Sequence, residues 1–132
     1  MCNMKRTAMI LAAAALFAAC QESLEERAAR EAREKTETQC PMPVGENIML
    51  DSVTFDIPAH IQTQYFCVFG SLDDESLFAQ TDTRSLLLGE LKNTPGYRQL
   101  MERGVSFRYV YYSRNRPDHV LLDLTLTSED YK

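Results

Sequence analysis

The sequence predicts a two-layer α+β domain: a four-stranded antiparallel sheet of two hairpins packed on a central helix or kinked helix pair, in the order ββαββ. Three observations predict it. Apolar residues alternate with polar ones at both ends of residues 40–132, a leucine face at helical spacing lies between, and Gly, Pro and Asn punctuate the joins. A helix laid over one face of such a sheet would bury the alternating apolar set.

The elements follow in chain order. Pro41 and Pro43 keep the entry extended and exclude a helix there. Val53, Phe55 and Ile57 alternate with Thr54 and Asp56 as a first strand. Pro58-Ala59-His60 makes a turn, and residues 61–69 form the second strand, with Tyr65, Cys67 and Phe69 on one face and Gln64, Phe66 and Val68 on the other. Residues 72–80 read as an acidic connection around Asp73-Asp74-Glu75. Thr81 or Asp82 then caps a helix whose Leu87, Leu88 and Leu91 share a face. Asn93-Thr94-Pro95 either kinks that helix or starts a second one through Tyr97, Leu100 and Met101, closed by Gly104. Two more strands, 105–112 and 120–126, flank the turn Asn115-Arg116-Pro117-Asp118.

Ahead of this domain, Lys5-Arg6, an apolar run over residues 8–17 and the small pair Ala18-Ala19 have the order of a secretory leader, residues 1–19. The run is too short for a bilayer span, which takes about 20 residues. Leu16-Phe17-Ala18-Ala19-Cys20 resembles the lipobox of bacterial lipoproteins. That resemblance implies diacylglycerol on the Cys20 sulfur and an acyl chain such as palmitate on the new amino terminus. Gln21 stands where such lipoproteins carry Asp for inner-membrane retention, so the expected address is the outer membrane, with the periplasmic or surface side open.

Residues 20–39 read as a lipidated cysteine and a charged tether. The pairs Glu26–Arg30, Arg27–Glu31, Arg30–Glu34 and Glu31–Lys35 support a helix, and Leu24 is the one residue of apolar bulk. The expectation is a solvated spacer, helical or flexible, holding the domain off the membrane.

The chain has 132 residues and a net charge of −5; without the leader the balance is 12 basic against 19 acidic residues, or −7. Such an acidic surface without a basic block excludes nucleic acid as a natural partner and leaves membrane attachment to acyl chains. With Cys2 in the leader and Cys20 the lipid site, Cys40 and Cys67 remain, an even pair in an oxidising compartment. They read as one disulfide, with a metal pair or a reactive thiol as the competing readings.

Chemistry is sparse. His60 and His119 fall in turns, outside any metal-ligand spacing, and Asp118-His119 has only Ser113 and Ser128 nearby. Asp73-Asp74-Glu75 lacks the calcium-loop pattern, and no glycine cluster cradles a phosphate. No cofactor, metal or catalytic set is expected. The tyrosines carry more information. With Phe107, Tyr109 and Tyr111 in the core, Arg108, Val110 and Tyr112 share the open sheet face with Leu121 and Asp123. The expected binding face is an Arg108–Asp123 pair beside an apolar strip of Val110, Tyr112 and Leu121.

Cys40-Pro41-Met42-Pro43, together with Tyr65-Phe66-Cys67-Val68 and the two terminal strands, resembles a group of small bacterial lipoproteins without assigned activity, common in Bacteroidetes. The resemblance covers residues 40–131 and implies the Cys40–Cys67 bridge and the strand–helix–strand order. Three functions compete on these residues: a non-enzymatic lipoprotein that binds an envelope protein as an accessory or assembly factor, a periplasmic inhibitor of a hydrolase such as a lysozyme using residues 72–80, and an enzyme for which no residue nominates itself.

Overall fold

The computed structural model describes residues 21–132; the leader and Cys20 lie outside them. Helix α1 (Leu24–Thr38) opens the fold, capped by the Ser23 hydroxyl, which accepts from the Glu26 amide at 3.0 Å. Strands β1 (Met42–Gly45), β2 (Ile48–Asp56) and β3 (Ile61–Val68) follow, then helices α2 (Glu75–Gln80), α3 (Thr83–Asn93) and α4 (Arg98–Glu102). Strands β4 (Ser106–Ser113) and β5 (Val120–Leu126) and a terminal turn of helix, α5 (Ser128–Tyr131), complete it.

The α+β class holds, but the sheet has five strands in the order β1-β2-β3-β4-β5 and is mixed rather than antiparallel. Each expected hairpin forms, β2 with β3 and β4 with β5, while β3 and β4 meet in parallel from Ile61 opposite Ser106 to Val68 opposite Ser113. The reason is a single traverse. The chain leaves β3 at one end of the sheet, and α3 and α4 carry it back to the end where β3 began. The extra edge strand β1 pairs Met42 with Leu50 despite its proline; proline is tolerated at an edge because the missing amide faces no partner. The interruption at Asn93-Thr94-Pro95 resolves into two helices, with a 3-10 turn over Pro95–Tyr97 between them. Gly104, at φ 75°, ends α4, its amide donating to Met101 O at 3.0 Å.

The core lies under the helical layer: Leu50, Val53, Phe66, Phe107, Tyr109 and Leu126 from the sheet against Leu87, Leu91 and Leu100. Helix α1 belongs to it. Leu24, Ala28, Ala32 and Thr36 recur every four residues on one face, and Ala28 and Ala32 are buried in the core cluster. The Thr36 hydroxyl accepts from the Val53 amide and donates to the Val53 carbonyl, both at 2.9 Å. β1 pairs with β2 only as far as Leu50, so Thr36 supplies the partners that the exposed β2 edge lacks beyond it. The solvated spacer is therefore corrected: these residues are the first element of the domain. Alanine serves because its small side chain lets a helix backbone come close to a sheet.

The Cys40–Cys67 bridge is corrected too, since both thiols are free. Cys67 sits on β3 opposite Met49, and Cys40 precedes β1 on the far side of β2. Two strand spacings separate β1 from β3, about 10 Å, more than the roughly 7 Å between Cα atoms that a disulfide spans. Burial pushes the Cys40 thiol pKa upward, away from the thiolate that oxidation requires. A fragment beginning at Gln21, unfolded without reductant, should titrate as two thiols, and dithiothreitol should leave its melting temperature unchanged. A thiol count of zero would reinstate the bridge.

Candidate apolar groove

The acidic connection turns out to be built structure. Asp73 accepts from the fully buried Ser113 hydroxyl at 2.8 Å and from the Asn115 amide at 3.3 Å, tying the segment to the β4–β5 turn. Asp74 caps α2 by accepting from the Ser76 amide and hydroxyl at 2.9 and 2.6 Å. Asp82 caps α3 in the same way through Ser85, at 3.2 and 2.7 Å. Gly70 starts the excursion at φ 62°, where a Cβ would stand 2.8 Å from Asn47 Oδ1.

These caps fix α2 and α3, and a groove of about 340 Å³ lies between them and the sheet. Ile48 and Tyr111 form its floor, Leu72, Leu77 and Phe78 one wall, and Leu86, Leu87 and Glu90 the other. The Phe78 ring lies 5.6 Å from that of Tyr111, which itself stacks on Phe66 at 4.6 Å. A second hollow of about 300 Å³ shares Ile48, Leu87, Glu90 and Tyr111 and runs on past Tyr109 and Tyr97 to Lys35 of α1. The combined depression is long and mostly apolar, with one carboxylate at its middle and one ammonium at its far end.

Its electrostatics follow from burial. Burial and the nearby Glu90 charge push the Tyr111 phenol up to about 12, and burial raises Tyr109 further. Both phenols therefore stay neutral in any physiological medium and act as hydrogen-bonding apolar surface. Such a lining can hold apolar side chains and select against a carboxylate beside Glu90.

The expected open-face site is built differently from its prediction. Arg108 and Asp123 do pair, in a two-pronged contact at 2.9 and 2.7 Å that draws the Asp123 carboxyl below its ordinary range. Val110, however, is only 6% exposed beneath that pair. Tyr112 donates to the Asp51 carboxylate, whose pKa burial raises. A register shift between Tyr111 and Tyr112 places Val120, not Leu121, opposite Tyr112. In the expected strip, Val110 is covered and Leu121 is out of register with Tyr112. Alternation along each strand puts Arg108 and Asp123 on one face, where they pair, but does not show the β5 bulge, which displaces Leu121.

The remaining candidates are structural. His60 Nε2 lies 3.4 Å from Glu25 Oε1, and His119 Nε2 lies 3.3 Å from Glu75 Oε1. Ser113 is fully buried and donates to Asp73, so its hydroxyl is not directed at His119. Among the described residues no cluster of three His, Cys, Asp or Glu could hold a metal, and no helix is long and apolar enough to cross a membrane. Residues 72–80, expected as an open acidic loop, instead carry helix α2, with Phe78 against Tyr111 and most of the segment exposed. The groove residues Leu77, Phe78 and Leu86 went unnoticed in the sequence. Their signal was an apolar pair set into an acidic stretch and one leucine too many in the run Leu86-Leu87-Leu88.

A family model, the domain of unknown function DUF8479, matches residues 23–122. The chain belongs to this family. The match begins at the α1 cap, in keeping with α1 as part of the DUF8479 domain. None of the curated proteins matches the chain in sequence. Three solved structures share the fold. One is a Pseudomonas aeruginosa protein described as a candidate secreted protein, 19% identical, with a TM-score of 0.65 over 85% of this chain and all of that one. The others are pilotins of type II secretion systems. EpsS of Vibrio vulnificus is 12% identical, with a TM-score of 0.59 over 83% of this chain and 92% of its own. AspS of Vibrio cholerae is 16% identical, with a TM-score of 0.58 over 81% and 91%. At these identities the likeness is one of fold.

Proposed function

We propose that this DUF8479 protein is a non-enzymatic lipoprotein of the outer membrane, anchored through Cys20, which holds an extended or helical segment of another envelope protein in the groove. The observation that carries the reading is the groove itself, where Leu77 and Leu86 stand 39% and 62% exposed on an otherwise acidic domain. An apolar patch with a polar rim is kept exposed where a partner covers it. Its elongated form, two hollows sharing four residues, suits a chain segment better than a compact small molecule. The pilotin fold supports an accessory or assembly role, because proteins named for that role in type II secretion use the same architecture. The lipobox and Gln21 support the outer-membrane address.

A photoreactive amino acid at Leu86 of the full-length protein should crosslink one envelope protein in intact cells, and Leu77→Asp should abolish that product. Leu86 is exposed, so Leu86→Asp should change stability by no more than about 0.5 kcal/mol while weakening capture. Crosslinking from Tyr112 and not from Leu86 would move the site to the open sheet face.

A further inference from the structure

The two ends of the sheet differ in kind. At one end lie the β4–β5 turn and the part of the groove walled by Leu72, Leu77, Phe78 and Leu86. At the other, three turns gather with the start of α1 and the C-terminal helix α5. Glu25 near the start of α1 reaches His60 in the β2–β3 turn at 3.4 Å and Arg103 in the α4–β4 turn at 3.6 Å. The Ser106 amide donates to His60 O at 3.0 Å, and Tyr131 of α5 donates to Val105 O at 2.8 Å. The β2–β3 turn projects Ile57-Pro58-Ala59, all exposed, as an apolar tip.

The chain enters α1 at this end, a few residues after Cys20. Only Gln21, Glu22 and Ser23 separate it from the first residue of α1. Glu22 is itself folded back onto the helix, its carboxylate accepting from Arg30 Nη2 at 2.5 Å and Nε at 3.2 Å. From the Cα of Glu22 to that of Cys20 the chain spans at most about 7 Å. The helix that follows is clamped to the sheet by Thr36 and by buried Ala28 and Ala32, so no spacer intervenes.

We infer that the lipid surface is the partner of this end: the domain rests on the bilayer with Ile57-Pro58-Ala59 at the headgroups, and the groove opens at the opposite end, away from the membrane. The inference rests on the reading of Cys20 as the acylated residue. Attraction comes from the acyl chains and not from charge, since the end mixes Arg27, Arg103 and Lys132 with Glu26, Glu102 and Glu129. The length of β3, eight residues, sets the groove end about 26 Å further out.

The chain contains no tryptophan, so single replacements report position directly. Full-length acylated protein carrying Ile57→Trp or Arg116→Trp, both at exposed sites, is placed in phosphatidylcholine vesicles bearing headgroup nitroxides. Tryptophan at 57 should lose most of its fluorescence and tryptophan at 116 should keep it. A flexible Gly-Ser insert of about ten residues after Cys20 should restore the signal at 57 by freeing the domain. Intact mass separates the two ways of failing. Acylated protein with equal quenching at both positions, or unquenched at 57, overturns this orientation alone; protein without acyl chains on Cys20 overturns the anchor and the orientation together.

Discussion

Ala32→Glu should unfold the domain or lower its melting temperature by well over ten degrees. Ala32 is 5% exposed, in the core cluster where α1 meets the sheet. A glutamate there either carries its charge into an apolar interface without a partner or lifts the helix off β2, exposing the Val53 edge that Thr36 covers. An uncompensated buried charge costs on the order of 3–5 kcal/mol, against a total stability of about 5–15 kcal/mol for a domain. At roughly 4 °C per kcal/mol for a domain of this size, that is the expected drop. Arg33→Glu, on the exposed side of the same helix, is the control and should leave melting nearly unchanged. Deleting residues 21–39 makes the same point without introducing a charge: a spacer could be removed without effect, whereas the structure requires the remainder to lose cooperative unfolding. Unchanged melting in both variants would return α1 to the status of a tether.

The second large effect is at the centre of β4. Phe107 is fully buried, with the rings of Tyr97 and Tyr131 edge-on to it at 5.5 and 6.2 Å. Phe107→Ala removes those contacts and leaves a void that three separate elements would have to collapse into. The expected cost in urea unfolding is about 3–5 kcal/mol. Because Tyr131 anchors α5, the C-terminal turn should become susceptible to carboxypeptidase in the same variant. Val120→Ala, at a side chain 51% exposed, should cost almost nothing. A Phe107→Ala variant as stable as Val120→Ala would show that the packing centre lies elsewhere.

What was legible in the sequence was local. Period-two alternation with turn residues between runs located the second half of β2 and strands β3, β4 and β5, because adjacent strands joined by short turns encode their own pairing. The leucine spacing located α3, and Gly104 marked the end of α4. The i,i+4 charge pairs made residues 24–38 helical. Tertiary structure decided the rest. The sense of the β3–β4 pairing depends on how many times the connection crosses the sheet, and alternation looks the same in either sense. Burial of α1 rests on Ala28 and Ala32, whose small side chains carry little hydropathic signal but permit close approach, so composition suggested a solvated helix. Cys40 and Cys67 paired by arithmetic are kept apart by β2, which only the register reveals. The groove exists because Asp73, Asp74 and Asp82 spend their charge on caps and turn contacts that hold Leu77, Phe78 and Leu86 over Tyr111. Sequence determines each residue's local preference; which apolar side chains are left facing solvent is settled only when distant segments have competed for the same core.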